Sequence, residues 1–295
     1  MTGETWKPLE AHASTKKFFC GEWKGRPALM IKFERGEDAE RFAAITKFLL
    51  SKKVPVPRVL SADDEKAVVT EFVEGGLFSA EKRSAPYLDN ILNVAGLFAG
   101  ISPGDLPKSF KLNRMDIDRL RFEMNFFFLN FCASYLSQKP SEKVKEAIYN
   151  LAEELSLAPA AFAHRDYHSE NIMVSKGSIY VVDYQDALLA PRCYDLASLY
   201  VDGYRTPSAA EKKAILERSL RSVGGGGGAE FKKTALQRAL KALGTFGYQV
   251  VQKNKERYRD AAVRTAGYLD GLASEETLST PDAVDFVRTI RKKLT

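Results

Sequence analysis

The spacing of apolar and polar positions divides the chain into two stretches of different character. Residues 16–33, "KKFFCGEWKGRPALMIKF", are rich in β-formers and break at Lys24-Gly25, a hairpin-turn dipeptide, so they predict two paired strands. Between 37 and 52 the apolar positions Ala39, Phe42, Ala43, Ile45, Phe48 and Leu49 recur with a helical period. The prolines of "VPVPRVLSADDEKAVVTEFVEGG" stop that helix, and the apolar runs on either side of Asp63-Asp64 predict two more strands joined by an acidic turn. The pattern reads β-β-α-β-β, and Glu74 to Gly76, "EGG", marks a change of direction suited to a hinge.

Beyond that point the pattern turns helical. "APYLDNILNVAGLFAGI" and "MDIDRLRFEMNFFFLNFCASYLSQ" carry apolar residues at helical spacing. "SEKVKEAIYNLAEELSLA" opens on Ser141 as an N-cap, and because Val144 stands where a capping box needs Glu or Gln, Ser141 caps alone. From Asp195 onward the chain reads as helix again. Only 172–183, "IMVSKGSIYVVD", reads as strand in this half, a hairpin turning at Lys176-Gly177. The expected organisation is a β-rich lobe over 1–74 and a helical lobe over 75–295. The glycine run Gly224 to Gly228 predicts a flexible surface connection without chemistry of its own.

Composition narrows the class. A chain of 295 residues exceeds what one simple core usually holds, and 45% hydrophobic with 28% charged residues is ordinary for a soluble globular protein. A net charge of +6 fits an anionic ligand such as a nucleotide. No basic block with interleaved aromatics appears, so no nucleic-acid partner is expected. Cys20, Cys132 and Cys193 lie far apart without metal-ligand spacing and read as reduced thiols. The first residues lack an apolar core, and the apolar stretches are short or carry charges. The expectation is a cytoplasmic monomer with no membrane partner.

The chemistry concentrates in "FAHRDYHSENIMV", 162–174, and the nearby "IYVVDYQDA". A hairpin holds its two ends close, so Asn171 at its start and Asp183 at its end can share one ion. An amide oxygen and a carboxylate are hard ligands suited to Mg²⁺ bridging phosphates. Asp166, in the preceding loop, is placed to accept or orient a substrate hydroxyl proton. His164-Arg165-Asp166, Asn171 and Asp183 together match the phosphoryl-transfer pattern H-R-D-x-x-x-x-N followed by an Asp. The alternative is that Asp166 and Asn171 only form a turn and Asp183 caps a helix.

That template also needs a lysine for the nucleotide phosphates, and Lys32 in "ALMIKF" is the candidate. Its expected carboxylate partner is Glu40, with Glu37 as the alternative. A solvent-facing edge lysine and a solvated helix face are the competing readings. No G-x-G-x-x-G is present; Ser14, Thr15 and backbone N–H groups stand where a phosphate cradle is expected. "TEFVEGG", with Phe72, stands where backbone groups would meet an adenine edge. A protein kinase is disfavoured, because no activation loop fits between Asp183 and "APRCYD" and Gln185 replaces the D-F-G glycine.

These motifs resemble the aminoglycoside phosphotransferase/choline kinase superfamily, a branch of the protein-kinase-like fold. "HRDYHSENIMV", "VVDYQDALLAP", "CYDLASLYVD" and "LQRALKALGTFG" are similar to the anomeric sugar kinases that act on N-acetylmuramate and N-acetylglucosamine in bacterial cell-wall recycling. The resemblance implies an α+β bilobal fold with a small β-rich N-lobe and a large helical C-lobe. It implies ATP and Mg²⁺ as cofactors, Asp166 as catalytic base, Asn171 and Asp183 as metal ligands, and Lys32 on the ATP phosphates. Asp195 would start a helix and brace the catalytic loop, or serve as a plain N-cap. His168, Gln185 and Glu123 are the candidate sugar contacts; each also suits a structural role, as a buried histidine, a polar flank and a paired carboxylate. Glu170 departs from the basic residue often found there in the sugar kinases. Kinases for another small alcohol (an aminoglycoside, choline or another sugar) and a nucleotide-binding module without turnover are the competing functions. A basic chain favours an anionic acceptor over a cationic antibiotic.

Overall fold

The computed structural model describes residues 6–9, 16–108, 110, 112–223 and 227–294. Packing groups the chain into two compact units, Met1–Leu97 with Glu170–Asp186, and Phe98–Ser169 with Ala187–Thr295. These follow spatial packing, whereas the expected lobes were drawn along the sequence at 74/75.

The first unit is built on a five-stranded antiparallel sheet of β1 (Lys7–Leu9), β2 (Lys17–Trp23), β3 (Arg26–Lys32), β4 (Val59–Asp64) and β5 (Ala67–Glu71), in the order β1-β2-β3-β5-β4. Lys24 and Gly25 both take positive φ, 50° and 75°, which a two-residue hairpin of this twist requires. The acidic turn lies two residues later than expected. β4 runs through Asp63 and Asp64, and the Asp64 carboxylate accepts from Lys66 N at 2.9 Å, capping the turn at Glu65-Lys66. β1 carries no alternating pattern and was not expected.

Helix α1 (Gly36–Ser51) buries Ala39, Phe42, Ile45, Phe48 and Leu49, the face its periodicity marks. Thr46 is buried on the same helix; its hydroxyl meets the Tyr184 hydroxyl at 2.8 Å, and Phe42 stacks on the Tyr184 ring at 5.1 Å. A second helix, α2 (Ala85–Gly100), follows in the chain. The hairpin Ile172–Ser175/Ser178–Val181 turns at Lys176-Gly177 as expected, again with both φ values positive, and Val181 N donates to Pro55 O at 2.8 Å. Gly76, the last residue of the expected hinge, and Leu77 pair with Val174 and Met173 of this hairpin.

The second unit is helical. α3 (Ile117–Phe127), capped by Asp116, continues as a π-helix over Phe128–Tyr135. α4 (Glu142–Leu157) is capped by Ser141, whose side chain accepts from Val144 N. α5 (Tyr194–Tyr200), α6 (Ala209–Val223) and α7 (Gly228–Val251) follow, then helices at Tyr258–Ala266, Leu269–Leu272, Glu275–Leu278 and Pro281–Lys292. Two short strands, Ala160–Ala163 and Leu188–Pro191, pair antiparallel and were not anticipated. Both are four residues long and uniformly apolar, so neither shows the alternation that marks a strand.

α7 lies unusually close to its neighbours. A Cβ on Gly244 would stand 2.8 Å from Phe127 Cα, and one on Gly247 would stand 2.6 Å from Asn130 O. Only glycine permits that approach, and it brings the polar residues of α7 down onto the loop after Ala163. Of the glycine run, residues 224–226 lie outside the described residues, Gly227 precedes α7 and Gly228 opens it. Among the described residues no helix is long and apolar enough to cross a membrane.

Candidate active site

In the helical unit the strand Ala160–Ala163 runs into His164-Arg165-Asp166. The backbone N–H groups of His164 and Arg165 donate to the Asp195 carboxylate at 2.7 and 3.1 Å. Asp195 stands in the first turn of α5 and braces this loop; burial pushes its carboxyl up to about 6, against the two N–H groups that favour its ionised form. Arg165 adopts φ 80°, a strained conformation for a residue with a Cβ. Its side chain lies 3.5 Å from Glu123 Oε1, and Gln237 donates to Glu123 Oε2 at 2.8 Å. Glu123 is 5% exposed; Gln237 serves its Oε2, while its Oε1 has the Arg165 charge nearby and no hydrogen bond among the described residues. With Arg165 it also lines an open pocket of about 470 Å³, together with Asn113, Arg114, Asp116, Arg119 and Phe122.

Asp166 meets two cations from α7. Lys241 Nζ lies 2.6 Å from its Oδ1 and Arg238 Nη2 lies 3.4 Å from the same oxygen. Burial alone would raise this carboxyl, but Lys241, Arg238 and Arg165 outweigh it and hold the group well below the usual carboxylate range. Asp166 is therefore ionised at neutral pH. His168 is pushed down to about 3, chiefly by burial, and stays neutral. Its ring packs on Tyr204 at 4.8 Å, and its backbone N–H donates to the Asp166 backbone carbonyl. Asp202 closes the loop by accepting from Ser169 N at 2.8 Å.

The unit built on the sheet carries Asn171 and Asp183. Val182 N donates to Asn171 O at 3.0 Å, extending the hairpin ladder one step beyond Ile172–Val181. Asn171 is thus tied to the residue before Asp183. Asp183 takes φ 64°, between this pairing and the anchored Tyr184. Its Oδ1 accepts from Lys16 Nζ at 2.8 Å and from Gln185 Nε2 at 3.0 Å. Gln185 also donates to Asp186, so its amide serves these carboxylates.

The donor set fits Mg²⁺. The Asp183 carboxylate already draws a cation to 2.8 Å, and Asn171, tied through its backbone to Val182, would supply an amide oxygen. Among the described residues no group of three or more His, Cys, Asp or Glu side chains forms a metal cage. A site with few protein oxygens completed by phosphate and water is the habit of Mg²⁺.

The other expected positions have their own surroundings. Lys32 is exposed, opposite Lys17, with its ammonium 5.4 Å from the Phe19 ring centroid. Glu37 and Glu40 are exposed on α1, and among the described residues neither pairs with Lys32. Phe72 is 38% exposed, its N–H donating to Pro27 O. Ser14 and Thr15 lie outside the described residues. Glu170 accepts from the Ser79 hydroxyl. Sequence reasoning missed Lys16, Asp202, Gln237, Arg238 and Lys241. The signal for the last three was present: polar residues interrupting an apolar helical face in "LQRALKALGTFG" imply buried partners.

An antiparallel sheet with its helix, a large helical unit and an H-R-D loop followed by Asn and Asp define the protein-kinase-like class of fold. Residues 5–231 match the model of the APH phosphotransferase enzyme family, and the chain belongs to that family. It is 27% identical over 225 residues to a Pseudomonas aeruginosa protein named N-acetylmuramate/N-acetylglucosamine kinase, a match covering 72% of this chain and 64% of that one. A Caulobacter vibrioides protein of the same name is 32% identical over 132 residues, covering 40% and 35%. The matches thus span less than two thirds of these relatives' length. The fold is similar to spectinomycin phosphotransferase in complex with ADP and spectinomycin, with a TM-score of 0.60, 14% identity, and coverage of 98% of this chain and 93% of that one.

Proposed function

We propose that the protein is an ATP-dependent small-molecule kinase that transfers the γ-phosphoryl group to a sugar hydroxyl, the anomeric hydroxyl of N-acetylmuramate or N-acetylglucosamine. The observation that carries this reading is Asp166: an ionised carboxylate on a loop braced by Asp195, in an intact H-R-D-x-x-x-x-N sequence. Membership of a phosphotransferase family and two relatives named as kinases of these sugars support the substrate class.

In this reading Asp166 orients the acceptor hydroxyl and takes its proton as the new O–P bond forms and the bond to ADP breaks. A loose phosphoryl transition state asks for little deprotonation beforehand, so a weakly basic carboxylate is adequate. Asn171 and Asp183 would hold Mg²⁺, which when bound would neutralise phosphate charge. Catalysis comes chiefly from positioning and electrostatics. The product, a sugar 1-phosphate, places the enzyme in cytoplasmic salvage of cell-wall sugars, acting as a monomer.

The test is ³¹P NMR of the enzyme with MgATP and N-acetylmuramate, N-acetylglucosamine, glucose, choline or kanamycin. A phosphate signal coupled to the anomeric proton of either amino sugar is the expected result. ADP formation only with choline or kanamycin would reject the sugar assignment. No ADP with any acceptor would reject kinase activity on this panel.

A further inference from the structure

Two cations on one carboxylate oxygen are more than an ion pair requires. Lys241 and Arg238 stand three residues apart on α7, are 16% and 5% exposed, and converge on Oδ1 of Asp166. Arg238 is steadied by donating to the Tyr194 hydroxyl at 3.1 Å and has its ring partner there too, 5.0 Å from the Tyr194 centroid. Glu123 is engaged by Gln237 at Oε2 and by the Arg165 charge at Oε1, and Asp195 by two backbone N–H groups, and among the described residues neither is paired with Lys241 or Arg238 by a salt bridge. Removing the charge of Asp166 would leave two buried cations facing a neutral acid, which is strongly unfavourable in a low-dielectric site.

The proposed reaction makes that change. As the acceptor O–H bond breaks, its proton neutralises Asp166; as the O–P bond forms, a dianionic phosphate arrives on the acceptor oxygen, and the bridging oxygen leaves with ADP. The cations lose one anionic partner at the moment another appears beside it.

We propose that Lys241, backed by Arg238, is a catalytic residue of the transfer: it pairs with Asp166 before reaction and contacts an oxygen of the transferred phosphoryl group as Asp166 takes the proton. This rests on the kinase reading above. Lys241 thereby acts as a fixed positive charge aimed at developing negative charge. Removing one such donor typically lowers kcat by about 10²–10³-fold.

The experiment compares wild type, Lys241→Met, Lys241→Arg, Asp166→Asn and, as a control on the same helix, Lys233→Met, whose exposed partner is Glu154. Steady-state kinetics are run from pH 5 to 9, with folding checked by thermal denaturation. Lys241→Met is expected to lose about 100-fold in kcat with the KM for MgATP within about threefold. Lys241→Arg should recover at least about tenfold of that loss, and Lys233→Met should match wild type. A Lys241→Met enzyme that keeps kcat within about threefold while only the acid limb of its pH profile moves upward would overturn the proposal, since Lys241 would then act on Asp166 alone. If Lys241→Met fails to fold, Lys241→Arg decides: a fully inactive, folded arginine variant overturns it. If Asp166→Asn keeps wild-type turnover, the kinase reading itself fails; if Asp166→Asn is inactive and Lys241→Met is not, only the role of Lys241 fails.

Discussion

Lys16 Nζ lies 2.8 Å from Oδ1 of Asp183, the carboxylate proposed to hold Mg²⁺. The lysine side chain is 14% exposed and the aspartate 48%. If Asp183 holds Mg²⁺ as proposed, the ion would have to compete with this ammonium for the carboxylate. Lys16→Met should therefore change metal-free stability by less than about 1 kcal/mol, as partly exposed pairs do. The rise in melting temperature on adding Mg²⁺ alone should be larger in the variant than in wild type. Differential scanning fluorimetry across a Mg²⁺ titration measures both; an identical Mg²⁺ response would dissociate Lys16 from the metal site.

Asp183 and Asn171 are expected to contribute unequally to nucleotide binding. Asp183 brings the charge, and Asn171 only an amide dipole. Asp183→Ala should abolish the Mg²⁺ dependence of ATP affinity, a loss larger than the about 10–100-fold typical of outer-shell substitutions at metal sites. Asn171→Ala should retain part of it. Calorimetry of ATP binding with and without Mg²⁺ separates the two, and an undiminished Mg²⁺ effect in Asp183→Ala would remove this residue from the site.

The sequence made the first of these clusters readable and hid much of the second. Asp166, Asn171 and Asp183 stand at fixed spacing along the sequence, on a loop and a hairpin, so the motif alone names them. The partners of Asp166 come from 72 and 75 residues further on. Nothing local announces that Arg238 and Lys241 face it; the close approach of α7 depends on Gly244 and Gly247 meeting backbone elsewhere. Lys32 illustrates the converse. A lysine ending an apolar run invites a buried partner, yet being the last residue of β3 puts its side chain in solvent beside Phe19. The strands Ala160–Ala163 and Leu188–Pro191 were illegible because four apolar residues without alternation carry no period.

Asp166→Asn should abolish turnover by at least about 10³-fold while leaving ATP binding intact, within the range seen for loss of a general base. It should also change the pH dependence of stability. The Asp166 carboxyl is held below its unfolded value, so its contribution is present above the ordinary aspartate value of 3.8 and is lost as pH falls through the lower folded value. Asparagine keeps a carbonyl acceptor but no charge. The variant should be less stable than wild type near pH 7 by about 2 kcal/mol, the scale of a hydrogen bond to a charged group. That difference should shrink toward zero as the pH drops below 4. Melting curves of both proteins from pH 2.5 to 8 provide the check, and a gap independent of pH would contradict the ionised state of Asp166.

Gly→Ala in a helix normally stabilises, by about 1 kcal/mol, because alanine loses less backbone freedom. Two positions on α7 should split in sign. At Gly228 the nearest atom to an added Cβ is Leu220 Cδ2 at 4.0 Å, so Gly228→Ala should be neutral or stabilising. At Gly247 the added Cβ would meet Asn130 O at 2.6 Å, a backbone atom that cannot step aside. Overpacking of this kind costs about 1–3 kcal/mol, more than the helix preference returns. Relief requires α7 to move away from the π-helix, and Arg238 and Lys241 move with it. Gly247→Ala should therefore lower both the denaturant midpoint and kcat, with kcat falling up to about 10²-fold if the shift approaches 1 Å. Urea denaturation beside steady-state kinetics tests the link. Loss of stability with kcat unchanged would mean that the contact of α7 with Asp166 is independent of this packing.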